Sequence, residues 1–342
     1  MQERSLQSGK ALIIFVILAG ALVFVFLLNI GIGSVKIGLP DVGRIILNNL
    51  RDDSVNSTIV WKIRMPRSMA VVMGGGAIAV SGLLLQIFFR NPIVDSYVLG
   101  VSSGSTFVIA LFMLGGLTFG LSTLSPYFIF LGAFLGAIII TTIVILFAYK
   151  VRSVVTLLVI GLMIGYLCSA ATGLLMTFAD NEKIKGFVLW TMGSFAGFTL
   201  ERVKVLYLIG VPFLFLAFII SKPLNAFLLG EDYAKSMGVN IKLFRILIIT
   251  VSSVLTAVVT AFAGPVAFIG MSVPHIARLS LRTSDNRILV PAVFLLGGII
   301  TGLCDLAARM VLAPAELAIS TVTSFLGVPI VIWLLLKRRT AL

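Results

Sequence analysis

Long continuous runs of hydrophobic residues, separated by short polar stretches, make up most of the chain. A helix needs about 20 such residues to cross a hydrocarbon core of about 30 Å. The runs do not alternate between apolar and polar residues as barrel strands do, so they predict helices. We place ten spanning helices at 11–31, 66–89, 97–117, 127–149, 153–178, 203–221, 243–263, 266–280, 288–309 and 319–336, of which the eighth is short.

The composition agrees with an all-α, polytopic membrane protein. Of the 342 residues, 59% are hydrophobic and 11% are charged, whereas about a quarter are charged in soluble domains. The net charge of +13 would suggest a nucleic-acid partner for a soluble protein. Here the cations lie mostly at the ends of apolar runs, where they anchor helices, so we expect no nucleic acid. Cys168 and Cys304 lie inside apolar runs and predict no disulfide framework.

The distribution of Lys and Arg near the span ends predicts the orientation in the membrane. The side that collects most of the 26 cations also carries both termini, which we therefore place in the cytoplasm. On the other side we expect a longer loop at 32–65. We also expect a short interfacial helix at about 180–202, with Trp190 at headgroup depth.

One charged stretch, at about 222–242, interrupts the apolar runs on the cytoplasmic side. Gly230 and Gly238 bracket a short sequence of good helical composition. Glu231 and Asp232 lie in its first turn, where carboxylates complement the helix dipole. Gly238 is predicted to be the left-handed residue that ends this helix.

A helix of two turns is unstable alone in water, so this one must dock on something. Tyr233 and Met237 are four residues apart and share a face. Ala234 would allow a partner to approach closely. Two interpretations stay open on these grounds, a solvated turn on the membrane surface and a docking helix for a cytoplasmic partner.

Two arginines, Arg64 and Arg67, stand on either side of Pro66, which can open the second spanning helix. They are either ordinary anchors at a helix end or a cationic patch for an acidic partner, because guanidinium groups bind carboxylates bidentately. Arg309 lies at the same side and could belong to the patch. Its competing role is a local ion pair with Asp305, one helical turn earlier.

The sequence contains no nucleotide-binding motif of its own. The one Gly-Lys pair, Gly9-Lys10, lacks the upstream glycine and the following Ser or Thr of a phosphate-binding loop. If ATP is used, another chain must bind it. An ion-coupled carrier is the first alternative, but Asp305 and Glu316 lie near the span ends and no acid stands at a midplane.

A second alternative is a membrane serine hydrolase. The residues from Gly100 to Gly104 match the G-x-S-x-G pattern, with Ser102 as the nucleophile and His275, the single histidine, as the base. That pattern requires a turn from a strand to a helix, whereas here it opens a membrane helix. The structural interpretation of His275 is a hydrogen-bonding residue near the short eighth span.

Six segments, taken in order from about 11 to 339, carry a resemblance to a known family. They are Arg64-Met-Pro-Arg67, Arg90-Asn-Pro92, Leu99 to Gly104, Gly230 to Gly238 with Ala234 and Met237, Gly264 to Gly270 followed by Val273-Pro-His-Ile-Ala-Arg278, and Ala315-Glu-Leu-Ala-Ile319. Together they resemble the FecCD family. Its members are permease subunits of bacterial ABC importers for ferric siderophores, haem and cobalamin.

The resemblance implies a permease of the cobalamin and siderophore type, with 1–342 forming a single transmembrane domain in the bacterial cytoplasmic membrane. It implies a dimer with a second permease subunit, identical or paralogous, and a substrate path along the interface. Two cytoplasmic ATPase subunits would use ATP and Mg, and an extracytoplasmic binding protein would dock on the other side. This chain would bind no cofactor, metal included, and would catalyse no reaction itself.

The resemblance also implies roles for individual residues. The family's segment for coupling to the ATPase corresponds to Gly230, Glu231, Asp232, Tyr233, Ala234, Met237 and Gly238. Arg64, Arg67 and Arg309 match arginines that pair with glutamates of the binding protein, and Ser153 lies near the inner gate. The expected cargo is a ferric siderophore, with haem or cobalamin as alternatives, because residues that line the path vary within the family.

Overall fold

The computed structural model describes residues 2–33, 35, 37–47, 54–115, 126–151 and 153–339. These residues are mostly helical, and no strand occurs among them, which confirms the all-α fold class. The helices are α1 (Gln2–Gly31), α2 (Leu39–Leu47), α3 (Val55–Thr58), α4 (Met65–Phe88), α5 (Val101–Met113), α6 (Pro126–Lys150), α7 (Val154–Thr177), α8 (Asn181–Thr191), α9 (Leu200–Ile219), α10 (Ser221–Leu228), α11 (Glu231–Ser236), α12 (Ile241–Ala263), α13 (Ile269–Leu281), α14 (Asn286–Met310) and α15 (Ile319–Arg339).

Each predicted span corresponds to one of these helices. Among the described residues, seven helical stretches are long and apolar enough to cross a membrane. The helices α5 and α13 have 13 residues each, which is about 20 Å of helix. The predicted third span ends at residues that the structure does not describe. The helix α8 falls inside the segment that the sequence predicts as interfacial.

The helices α5 and α13 are short because each begins inside the bundle. The turn before α5 meets the turn before α13, where the Tyr97 hydroxyl donates to the carbonyl of Val266 at 2.9 Å. Close by, Gly82 in the middle of α4 packs so tightly on Gly270 that a Cβ would overlap the Gly270 backbone. Irregular backbone at membrane depth is tolerated where protein surrounds it and bonds its polar groups.

The prediction of a loop at 32–65 is wrong for much of that segment. The structure has α2 and α3 there, and a π-helical turn at Ile59–Arg64 leads directly into α4. Val42 and Ile45 of α2 are buried in a cluster with Ile30 of α1. The segment therefore folds back over the end of α1, because one face of α2 is apolar and needs a surface to cover.

The helix α4 forms the centre of the molecule. In the most apolar window of its stretch 94% of the residues are buried, and α9, α12, α13 and α14 pack around it. The outer helix α7 differs, since only 22% of its window is buried. One side of α7 must consequently face lipid, a second protein or water.

Candidate functional site

The helices α4 and α14 both run from one end of the bundle to the other. The helix α4 begins beside Arg64 and ends where the Phe88 ring stacks on Phe227 of α10, with ring centroids 6.1 Å apart. The helix α14 begins beside α10 and ends at Arg309. The three arginines therefore lie at one end of the bundle, here called the arginine end, and α11 lies at the opposite end, called the α11 end.

The short helix α11 forms as its two bracketing glycines predict. Gly230 precedes it with φ +132° and Gly238 follows it with φ +83°. The amide of Val239 donates to the carbonyl of Ala234 at 3.0 Å, and the amide of Gly238 donates to the carbonyl of Lys235 at 3.0 Å. This pair of bonds is the Schellman motif, which confirms Gly238 as the left-handed end of the helix.

The helix α11 leans on its own chain. Ala234 has no exposed surface and belongs to the main hydrophobic core together with Phe227 and Phe244. The Glu231 carboxylate lies 2.6 Å from the guanidinium of Arg245 in α12. The expectation that Ala234 would let a partner approach is wrong, because α10 and α12 already cover this side chain.

A neighbouring face of α11 is open. Tyr233 is 45% exposed and Met237 is 64% exposed, and Leu229 and Leu243 flank the helix with further exposed apolar surface. Exposed apolar surface rimmed by polar residues is typical of a protein interaction site. The two faces that the sequence left open thus have different roles, since Ala234 anchors α11 and the Tyr233–Met237 face is available to another protein.

A single guanidinium connects α11 to the turn between α6 and α7. Besides Glu231, Arg245 donates to the carbonyl of Val151 at 3.2 Å. Ser153, two residues further on, caps α7, and its hydroxyl accepts from the amide of Thr156 at 3.2 Å. Arg245 is absent from the site residues predicted from the sequence, although its place in the first turns of α12, close to α11, was a usable signal. The role of Ser153 at a gate stays a prediction.

The arginine end holds a buried charge cluster. Arg67 binds Asp305 through two nitrogens, at 2.9 and 3.1 Å, and reaches Glu316 at 2.9 Å. Arg309 lies 3.2 Å from the second oxygen of Asp305, which confirms the local ion pair that the sequence suggests. Asp305 therefore serves both arginines at once.

The remaining donors of the cluster bind the chain itself. Arg64 donates to the carbonyls of Ile30 and Gly31 at 2.8 and 2.9 Å. Arg309 donates to the Asn29 side-chain oxygen at 2.6 Å. These contacts hold the end of α1 against α4 and α14.

The structure brings the three predicted arginines together but buries them. Each of the three is less than 10% exposed, so they form neither freely solvated anchors nor an exposed cationic patch. Three arginines against Asp305 and Glu316 leave one net positive charge. The docking role stays a prediction, and in this conformation acidic groups of a partner would have to displace carboxylates of the chain.

A cavity of about 230 Å³ lies between α5 and α7. Five of its lining residues carry hydroxyls, namely Ser102, Ser103, Thr106, Ser169 and Thr172. From the sequence, Ser102 was a candidate nucleophile with His275 as its base or, by the family resemblance, part of a packing element, and no binding role was predicted for it. His275 is not among the residues that line the cavity.

Comparisons with known proteins agree with one another. A model of the FecCD transport family matches residues 21–337. The vitamin B12 import system permease protein BtuC of Salmonella typhi is 37% identical over 278 residues, which cover 81% of this chain and 83% of that protein. The protein of the same name from Escherichia coli O9:H4 (strain HS) is 37% identical over 280 residues, with coverages of 82% and 84%.

A solved structure gives the same result at the level of the fold. It is described as a metal-chelate type ABC transporter in an inward-facing conformation, and it superposes with a TM-score of 0.84. The sequence identity is 30%, and the match covers 95% of this chain and 99% of that chain.

Proposed function

Because the chain belongs to the FecCD transport family as a permease subunit of an ABC importer, we propose that it moves a metal chelate across the bacterial cytoplasmic membrane by alternating access. In this proposal the whole chain is one permease domain, which pairs with a second permease subunit, and the path runs along their interface. Two ATPase subunits below it use ATP and Mg, so the part of this chain is mechanical.

The observation that carries the proposal is the construction of α11. Ala234 and the ion pair between Glu231 and Arg245 hold the helix on the bundle, while Tyr233 and Met237 point away from it. A helix that is held firmly on the bundle and presents an exposed apolar face is suited to enter a groove on an ATPase. Through Arg245, a push on α11 would reach the turn before α7.

At the arginine end we propose docking of a substrate-binding protein. The net positive charge of the cluster favours an acidic surface, and Glu316 is its most accessible member, with 42% of its side chain exposed. Carboxylates of the docked protein would replace Glu316 as the partner of Arg67. Because Arg67 belongs to α4, docking would then change the contacts that α4 makes.

For the cargo we propose a ferric siderophore, a class of metal chelate that agrees with the description of the solved relative. A corrinoid is the second candidate, because the BtuC relatives belong to vitamin B12 import systems. Both are large chelates that carry many oxygen and amide groups.

The test reconstitutes the permease in proteoliposomes with its ATPase and its binding protein. Met237→Glu places a charge on the exposed face of α11, so we expect the loaded binding protein to stimulate ATP hydrolysis at least about tenfold less than in the wild type. Lys235→Glu is the control, because it places a carboxylate on the side of α11 away from Tyr233 and changes the charge by two units instead of one, and it should retain stimulation.

The same vesicles decide between the candidate functions. The vesicles are tested for uptake of a ferric trihydroxamate and of cyanocobalamin. Uptake that depends on ATP hydrolysis by the partner ATPase supports the proposal and identifies the cargo. Uptake that persists without the ATPase and stops with a protonophore would show an ion-coupled carrier instead. Equal stimulation in the Met237→Glu variant and the wild type would contradict docking through α11.

A further inference from the structure

Several hydroxyl groups around the cavity between α5 and α7 differ from most other hydroxyls of the bundle. Most Ser and Thr residues inside helices bond a carbonyl one turn earlier, as Thr141 and Thr142 of α6 do at 2.8 Å. Within the described part of the chain, four cavity residues make no hydrogen bond through their hydroxyls. They are Ser102, Ser103, Thr106 and Ser169, which we call the hydroxyl cluster.

Neighbouring residues show that the geometry of α5 and α7 does not prevent such bonds. Ser105 lies on the same helix but points at α6, and its hydroxyl donates to the carbonyl of Ala133 at 2.8 Å. Thr172 lines the cavity but bonds the carbonyl of Cys168 at 2.9 Å. The local helix geometry therefore permits bonded hydroxyls. Some other hydroxyls of the described bundle also lack a bond, but their oxygens are closed to solvent, whereas those of the hydroxyl cluster open into the cavity.

The hydroxyls of the cluster are open to a partner from outside the chain. Ser102 is 8% exposed, but water can reach its oxygen, while Ser103 and Thr106 are half-buried and Ser169 is exposed. A cavity of about 230 Å³ has room for several waters, since each occupies about 30 Å³ in the liquid. Four unbonded hydroxyls around one open space indicate a site that is wet or filled by a polar ligand.

The lining limits the chemistry of that ligand. No Asp, Glu, Lys, Arg or His is among the described residues that line the cavity, so nothing there compensates a carboxylate or phosphate. Hydroxyls donate and accept, which suits neutral amide, carbonyl, hydroxamate and hydroxyl groups. Pockets that enclose a drug-sized molecule have about 300–1,000 Å³, so this cavity would hold one arm of a large chelate.

The position of the cavity fits a path through the membrane. It opens on the side of α7 that the chain leaves uncovered, where Ser169 and Gly173 are exposed. Lipid could not bond these hydroxyls, so water or another polar surface must cover them. Gly100 and Gly165 bring the start of α5 against the middle of α7, which places the cavity between the two ends of the bundle.

We propose that the hydroxyl cluster is a cargo subsite, at which Ser102, Ser103, Thr106 and Ser169 bond the neutral oxygen or amide groups of a metal chelate as it passes α7. This inference rests on the proposed function. It adds the residues that contact the cargo and the chemistry that they recognise.

The first test removes the hydroxyls from the permease in the complete transporter. We expect Ser102→Ala, Ser103→Ala, Thr106→Val and Ser169→Ala each to lower uptake per ATP hydrolysed by about 2- to 10-fold, and the combined variant to lower it more. Basal ATP hydrolysis and docking of the binding protein should stay unchanged. Thr142→Val is the control, because that hydroxyl bonds its own helix, and uptake should not change.

The second test asks whether the cavity is aqueous. Ser103→Cys and Ser169→Cys should react with a charged methanethiosulfonate reagent, and transported chelate should protect them. The unaltered chain gives the background, because Cys168 and Cys304 are buried. Absence of labelling in both variants, with and without ATP, would overturn the subsite.

Two chelates, a ferric trihydroxamate and cyanocobalamin, are used in parallel. A loss of uptake with either one supports the subsite, and the chelate affected identifies the cargo. If the combined variant takes up chelate as well as the wild type does, the subsite is overturned and the proposed function still stands. Absence of ATP-dependent uptake of both chelates by the wild type would instead contradict the proposed function, and the subsite with it.

Discussion

At the scale of single residues, burial decides what the charged groups do. Asp305 is 1% exposed and serves two arginines, whereas the side chain of Glu316 is 42% exposed and serves one. An ion pair out of water must be complete, because removing one partner leaves a buried charge uncompensated. An exposed pair contributes little. The same arginine, Arg67, thus has one structural carboxylate and one exchangeable carboxylate.

The difference predicts the stability of two matched variants. Asp305→Asn leaves Arg67 and Arg309 without their shared counter-ion, so we expect a loss of about 3–5 kcal/mol in the free energy of unfolding. Glu316→Gln should cost less than about 1 kcal/mol. Thermal unfolding of both purified variants in detergent checks this, and equal melting temperatures would contradict the assignment.

Glu316 also permits a prediction about docking. Glu316→Gln raises the net charge of the cluster and frees one side of Arg67, so an acidic binding protein should bind about 2- to 5-fold more tightly at low salt. The gain should fade at high salt, where exposed charges are screened. Surface plasmon resonance against the immobilised permease measures it, and weaker binding of the variant would show that Glu316 itself contacts the partner.

At the scale of elements, local signals predicted some helices well and failed where tertiary contacts decide. Gly230 and Gly238 fixed both ends of α11, because only the backbone of glycine adopts their φ values readily. The helix α2 was missed, although Val42, Ile45 and Ile46 have helical spacing and the signal was present. The late starts of α5 and α13 could not be predicted, since they depend on two turns, distant in sequence, that bury each other.

The attachment of α11 gives a prediction about coupling. Arg245→Gln removes both the bond to Glu231 and the bond to Val151, so ATP hydrolysis should continue while uptake per ATP falls about tenfold. Glu231→Gln removes only the first bond and should have a smaller effect. A double-mutant cycle of the two changes in proteoliposomes measures the coupling energy. Strict additivity would show that the ion pair transmits nothing.

At the scale of the whole molecule, the sequence predicted the bundle and the local pair of Asp305 with Arg309, but not the pairs that Arg67 makes. Asp305 and Glu316 follow Arg67 by 238 and 249 residues, and no local pattern connects positions so far apart. The hydroxyl cluster was missed for the same reason. Ser102 and Ser169 belong to different helices, and only the packing of α5 on α7 shows that both lack partners.

The orientation of the chain in the membrane is a prediction that concerns both the arginine end and the α11 end. The helix α7 leaves the α11 end beside Val151, so α8, which follows it, lies at the arginine end. The excess of Lys and Arg predicts that the α11 end lies in the cytoplasm, where ATP is available to a partner. A membrane-impermeant maleimide should therefore label Lys185→Cys of α8 in intact cells, and Ser236→Cys of α11 only after permeabilisation.

The unaltered chain is a clean control for this labelling, because both of its cysteines are buried. The reverse pattern would place the exposed face of Tyr233 and Met237 outside the cell. No ATPase could then reach α11, so docking through this helix would fail together with the orientation. The charge bias and the shape of α11 are independent observations, and this experiment requires both to agree on one side of the membrane.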